Sequence, residues 1–177
     1  MGDTLNVVHY TFNLKIMALI NKENYETHDV VHGMLAGLIG GLAFSGVMAL
    51  LDPKLFGKVA ALYDSGSEVV GFILHLIHSM VIGGLFGAIT RSTVDRPSGT
   101  GYGMLYGTLW WVLGPVILYP VWMDELPITV VDIDNALTSM PGHLIYGLVL
   151  GYVYVLLAQN ERYRLRLQES TEDEDGV

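Results

Sequence analysis

The chain has 177 residues, a formal net charge of −9, no cysteine, 15% charged residues and a mean hydropathy of +0.44. The lack of cysteine excludes disulfides, thiolate metal sites and cysteine nucleophiles, and an acidic chain with no basic face argues against nucleic acid as a partner. Soluble domains carry about 25% charged residues, so a composition this apolar points to one small domain built as a membrane bundle.

Residues 4–20 (TLNVVHYTFNLKIMALI) admit two patterns. Val8, Tyr10, Phe12, Leu14 and Ile16 alternate with polar residues, as in a strand. Leu5, Val8, Phe12, Ile16 and Leu19 also form a helical stripe. A lone strand would leave both edges unpaired, so a short helix lying in the membrane interface is the preferred reading. The segment is too polar to span. It shows neither a signal-peptide pattern nor a myristoylation site, so insertion is expected to rest on the spans that follow.

Residues 21–29 (NKENYETHD) are expected to form a polar connection, with Asp29 capping the next helix. The first span is then 30–51, with Gly33, Gly37 and Gly41 making a smooth ridge for close helix packing. Asp52-Pro53 ends it. A loop over 52–68 leads to the second span, 69–89, which carries no formal charge, two histidines and Gly83 and Gly87. At about 1.5 Å per residue it would cross the roughly 30 Å hydrocarbon of a bilayer. His75 and His78 lie three residues apart and so share one side of that helix.

Arg91, Arg96 and Pro97-Ser98-Gly99 mark a turn before the third span, 102–123. It holds Gly103, Gly107, Trp110-Trp111, Pro115 and Pro120. Each proline lacks an N–H, which frees the carbonyl of Trp111 or of Val116 and predicts a kink. Trp110-Trp111 are expected to face lipid or a neighbouring subunit. The loop 124–136 has four acids and no base, and the fourth span, 137–158, carries His143, Tyr146, Gly147 and Gly151. Residues 159–177 are expected to be a basic, then acidic and disordered tail.

With four spans, the loops on the side of the termini hold seven Lys and Arg against two on the other, so both termini are expected in the cytoplasm of a plasma-membrane protein. The fold class is therefore all-α: a four-helix transmembrane bundle of two tandem hairpins. Gly33-Met34-Leu35-x-Gly37 recurs as Gly103-Met104-Leu105-x-Gly107, and Gly83 and Gly87 as Gly147 and Gly151. An axis along the membrane normal relating the two hairpins would give this echo.

The same topology brings separate residues together. His75 and His143 each lie six residues into an inward-running span, and Pro115, Tyr119 and Pro120 occupy the same half of an outward-running one. His75, His78, His143, Tyr119, Tyr146, Pro115 and Pro120 are thus expected to line an outward-facing polar pocket. Asp124, Glu125, Asp132 and Asp134 would form an acidic mouth above it. Ionisable groups at membrane depth are costly, and histidine titrates near neutral pH. Three readings follow. The first is a non-enzymatic pocket that moves or senses protons or a small solute. The second is an accessory or assembly subunit of a larger, respiratory-type membrane complex, with glycine ridges and paired tryptophans as subunit contacts; apart from both, the histidines have a purely structural reading, holding helices in register. The third is a haem- or metal-bearing electron-transfer subunit using His75, His78 and His143. Membrane lipid and either a second copy or other subunits are the expected partners, and no cofactor is expected under the first two readings. No nucleotide loop, catalytic triad order or kinase motif is present.

His78-Ser79 followed by glycines, the glycine and late proline pattern of Gly103, Gly107, Pro115 and Pro120, and Gly142-His143-Leu144 carry a resemblance. Over residues 69–158 the chain resembles the YagU-like group of small four-span prokaryotic membrane proteins and their archaeal relatives. The resemblance implies a plasma-membrane protein of unsettled activity, linked in one branch to acid tolerance, with His78 and His143 as the residues carried over. His75 and the first thirty residues have no counterpart there.

Overall fold

The computed structural model describes residues 2–90, 96–123 and 130–175, with side chains over 27–90, 97–123, 133–134, 136–160 and 163. It is all-helical over these residues. In order they form α1 (Gly2–Leu51), α2 (Leu55–Ala61), α3 (Glu68–Thr90) and α4 (Arg96–Trp111). A π-helical segment (Val112–Leu118), α5 (Tyr119–Trp122) and α6 (Val130–Asp175) follow. Four stretches are long and apolar enough to cross a membrane: Thr27–Leu51, Glu68–Thr90, Pro97–Trp122 and Ala136–Asn160.

Three expected breaks are helical instead. Residues 2–32 hold no proline and no glycine after Gly2, so the polar stretch 21–29 lowers helix propensity without stopping the helix, and α1 runs on unbroken. Asp29 is therefore no cap. It is buried, and Tyr154 of α6 donates to its Oδ1 at 3.2 Å. Of the turn expected after the second span, Arg91 lies outside the described residues, and Pro97-Ser98-Gly99 opens α4, where a proline in the first turn has no intrahelical N–H to lose. The chain after residue 158, expected to be disordered, continues α6 to Asp175. Asp52-Pro53 does end α1, and Asp52 receives the backbone N–H of Lys54 and the ammonium of Lys58 (3.3 and 2.8 Å). The segment between the first two spans holds a helix, α2, and turns back at Asp64, whose φ of 54° is one of the few non-glycine positions where a left-handed residue is tolerated.

The glycines set the packing. A β-carbon at Gly33 or Gly37 would collide with the carbonyl of Gly83 or Ser79, and one at Gly103 or Gly107 with the carbonyl of Gly147 or His143. A β-carbon at Gly87 meets Asp29, and one at Gly151 meets Gly99, in the same way. The α1–α3 and α4–α6 contacts are thus one motif used twice, which gives the tandem echo of the sequence a structural counterpart. The second interhelical surface joins α1 to α6 through Phe44, Met48, Tyr146, Leu150 and Tyr154, all buried. Large aliphatic side chains point the other way: Leu35, Ile39 and Leu42 of α1 and Ile73, Ile77, Val81 and Leu85 of α3 are exposed. Small residues inside and branched aliphatics outside suit a lipid solvent, where close backbone approach drives association.

Candidate binding cavity

Where α1 meets α6 the bundle is filled. Between α3 and α4 it is not. The two helices touch through Tyr106, whose hydroxyl donates to the Ile82 carbonyl (3.0 Å) and whose ring packs on Phe86 (5.2 Å). From there toward the end of the bundle opposite the chain termini they part around a cavity of about 480 Å³. That size is ordinary for a small-molecule site.

The third span opens one wall. Val112–Leu118 is π-helical, and the N–H of Tyr119 reaches the Gly114 carbonyl. The two prolines explain it. Pro115 and Pro120 cannot donate to the carbonyls of Trp111 and Val116, but a bond reaching one residue further finds the N–H groups of Val116 and Val121. The carbonyls expected to be free are therefore within the reach of a π register. The extra residue widens the helix and sets Gly114, Pro115 and Tyr119 on the cavity wall.

The end of the cavity is roofed by α2. Leu55, Val59 and Leu62 line it, and the Trp122 indole donates to the Leu62 carbonyl (3.1 Å), joining the end of the third span to the roof. Tyr63 sits beside the roof with its hydroxyl 2.6 Å from His78 Nε2.

Of the expected pocket residues, His75, His78, His143, Tyr119, Tyr146 and Pro115 all line this cavity. Pro120 is buried and does not. Asp124 and Glu125, and the side chain of Asp132, lie outside the described residues. Asp134 is exposed, sits in the first turns of α6 rather than in a loop, and does not line the cavity. Trp110, expected to face lipid or another subunit, lines the cavity, and Trp111 is turned inward to donate to the Ala136 carbonyl (2.7 Å). The sequence reading missed Phe44, Ser79, Ser139 and the roof. A signal for the roof existed: Leu55, Val59 and Leu62 follow the i, i+4, i+7 spacing of one helical face.

The polar wall is tightly specified. His75 Nε2 lies 3.2 Å from the Gly41 carbonyl, and His143 Nδ1 lies 2.9 Å from the Ser139 carbonyl. A carbonyl only accepts, so in each ring that nitrogen carries the proton and the other presents a lone pair. Ser79 donates to the His75 carbonyl, Ser139 to that of Ala136 and Tyr146 to that of Ser79, at 2.8–2.9 Å. Phe44 is the common neighbour of the two inner histidines, with ring centroids 4.7 Å from His75 and 5.0 Å from His143. The expected common depth of these two histidines is modified. Ser79 and His143 hold equivalent places against Gly37 and Gly107. His75 and Ser139, each four residues earlier, pair in the same way. The two hairpins thus carry histidine and serine in opposite order.

Among the described residues no group of three or more His, Asp or Glu is placed to hold a metal ion. The polar wall instead consists of His75, His143, Ser79, Ser139 and Tyr146 bonded to backbone carbonyls, with His78 bonded to the Tyr63 hydroxyl, set against an apolar lining.

A bundle of four apolar helices with a half-open cavity at one seam is the class that this architecture defines. The chain belongs to DUF6789, a family of unknown function whose model matches residues 27–165, the four apolar stretches and little else. No curated protein and no solved structure matches it.

Proposed function

We propose that this protein is a non-enzymatic, multi-pass membrane protein that binds a small molecule in the cavity between α3 and α4, for transport or sensing. The observation that carries this reading is the convergence of His75, His78 and His143, from two helices, on one cavity of about 480 Å³. The positive-inside rule supports a plasma-membrane orientation with both termini cytoplasmic, which turns the roofed end outward. The mostly apolar lining favours a small solute over a water-filled proton path. The YagU-like resemblance, with its link to acid tolerance, is the support for a proton-coupled variant of the same reading.

The test is a stability screen of the purified protein in nanodiscs against water-soluble and membrane-soluble small molecules. A ligand at a hundred times its Kd should stabilise by about 2.7 kcal/mol. Compounds that stabilise the native protein should lose that effect in His75→Ala and His143→Ala. If every stabilising compound acts equally on both variants, the histidine cavity is not the binding site.

A second reading, an accessory subunit of a larger membrane complex, is favoured by one observation. The helices α1 and α6 run well beyond the apolar stretches Thr27–Leu51 and Ala136–Asn160, on the side of the termini. Native electrophoresis in mild detergent separates the two, because a small band containing one protein would sink the subunit reading.

A further inference from the structure

The binding reading leaves the ligand open, and three features of the cavity narrow it. The first is the proton inventory of its wall. His75 and His143 have each committed their ring proton to a backbone carbonyl, and Ser79, Ser139 and Tyr146 have each committed their hydroxyl proton to another. What these five side chains have left for a ligand is lone pairs. A group that meets them must donate. The Trp110 indole N–H on the same lining, buried without a partner among the described residues, offers a donor to a group that also accepts, as a hydroxyl does.

The second feature is charge. No Asp or Glu lines the cavity among the described residues, and the lining is dominated by Phe44, Leu55, Val59, Ile82, Trp110 and Leu118. A cation there would be desolvated with no counter-charge, so the donor that fits is a neutral hydroxyl.

The third feature is the way in. The end of the cavity lies under α2, tied down by the Trp122 bond to Leu62. On the flank between α3 and the π-helical segment, Val81 and Leu118 line the cavity and are also exposed, at 55% and 51%. Both belong to stretches that can cross a membrane, so this flank faces hydrocarbon. The opening is lateral.

From these we infer that the cavity takes a neutral, lipid-soluble molecule with a hydroxyl donor at one end of an apolar body, admitted from the bilayer between Val81 and Leu118. This rests on the binding reading above and gives it a ligand class. The hydroxyl sits against His75 and His143 with Ser79, Ser139 and Tyr146 around it, and the apolar body extends along Ile82 and Leu118 toward the lipid. A molecule of the same shape without the O–H leaves buried acceptors facing no donor and binds more weakly.

The experiment uses the full chain in nanodiscs and a diazirine-bearing 4-alkylphenol as the photolabel, with labelled residues located by mass spectrometry. The competitors are 4-octylphenol and its methyl ether, 4-octylanisole. The expected result is labelling on cavity residues that octylphenol suppresses at a concentration at least about tenfold lower than octylanisole. His75→Phe and His143→Phe should narrow that gap while labelling persists. Val81→Trp, at an already exposed position, should block the flank and abolish labelling with the fold retained.

Cavity labelling suppressed equally by phenol and ether would overturn the hydroxyl inference and leave the binding reading standing. Labelling confined to lipid-facing residues would overturn the lipid-borne ligand. Water-soluble stabilisers that depend on His75 and His143 would then keep the binding reading alive on their own.

Discussion

The seam between α1 and α6 and the seam between α3 and α4 hold corresponding places in a bundle of two like hairpins, yet one is filled and the other is open. In the register that aligns Gly37 with Gly107 and Ser79 with His143, Phe44 corresponds to Gly114 and Tyr146 to Ile82. Two aromatic rings at the closed seam are thus replaced by a hydrogen and a butyl group at the open one. The π segment then widens the gap. The lesson is that a duplicated packing motif can hold both halves together while a few side chains between the halves decide where a cavity forms.

The largest effects should come from the shared motif, because it acts through backbone contact. Gly83→Ala and Gly147→Ala each place a β-carbon against a facing carbonyl, that of Gly33 or Gly103. Each should cost about 1–3 kcal/mol, and the two should be nearly equal. A β-carbon at Gly46 or Gly101 meets nothing within 4 Å, so alanine there should be neutral or stabilise by up to about 1 kcal/mol through helix propensity. Unfolding by SDS titration in mixed micelles reads all four. A neutral Gly147→Ala beside a damaging Gly83→Ala would mean that the two hairpins do not pack alike.

The next effect sharpens the contrast between the seams. Phe44 is 4% exposed and packs on both inner histidines and on Gly142. Phe44→Ala should cost about 1–3 kcal/mol. That is less than the same change in a water-soluble core, because the unfolded chain keeps its side chains in lipid and mainly the cavity term remains. Leu118→Ala, at the mouth of the open seam, removes a half-exposed side chain and should cost under about 0.5 kcal/mol. Equal losses in the same SDS titration would deny that one seam is filled and the other open.

The four spans were legible in the sequence because a bilayer demands length and apolarity, and both can be read residue by residue. The glycine ridges were legible because a spacing of four repeats on one helical face, and Gly33, Gly37, Gly103 and Gly107 all do face their partner helices. The pocket residues were legible by depth alone, which placed six of seven on the cavity and failed for Pro120. What depth does not give is rotation about a helix axis. That is why Phe44 was missed and why Trp110 was expected to face lipid or another subunit, whereas taking His75 and His143 as counterparts misjudged depth itself, by four residues along the axis. Helix ends were the other weak point. Asp29 has the chemistry of a cap, and its tertiary partner Tyr154 is far away in sequence and invisible to local reading.

The last comparison tests the polar tie that crosses each seam. Tyr154 ties α6 to α1 through the buried carboxylate of Asp29, and Tyr106 ties α4 to α3 through the carbonyl of Ile82. Tyr106→Phe should cost about 0.5–1.5 kcal/mol, because the Ile82 carbonyl still has its own helical partner. Tyr154→Phe should cost more, about 1–3 kcal/mol, because it leaves a buried carboxylate with one donor fewer in a low-dielectric setting. The two should also differ in kind. Loosening the Tyr106 tie lets α3 and α4 part, so amide hydrogen exchange along the flank should quicken with little loss of stability. Loosening the Tyr154 tie weakens the closed seam and leaves that exchange unchanged. Hydrogen exchange along α3 and α4, followed with the SDS midpoint, separates the two outcomes. Faster exchange at the flank in Tyr154→Phe but not in Tyr106→Phe would place the moving seam on the wrong side of the bundle.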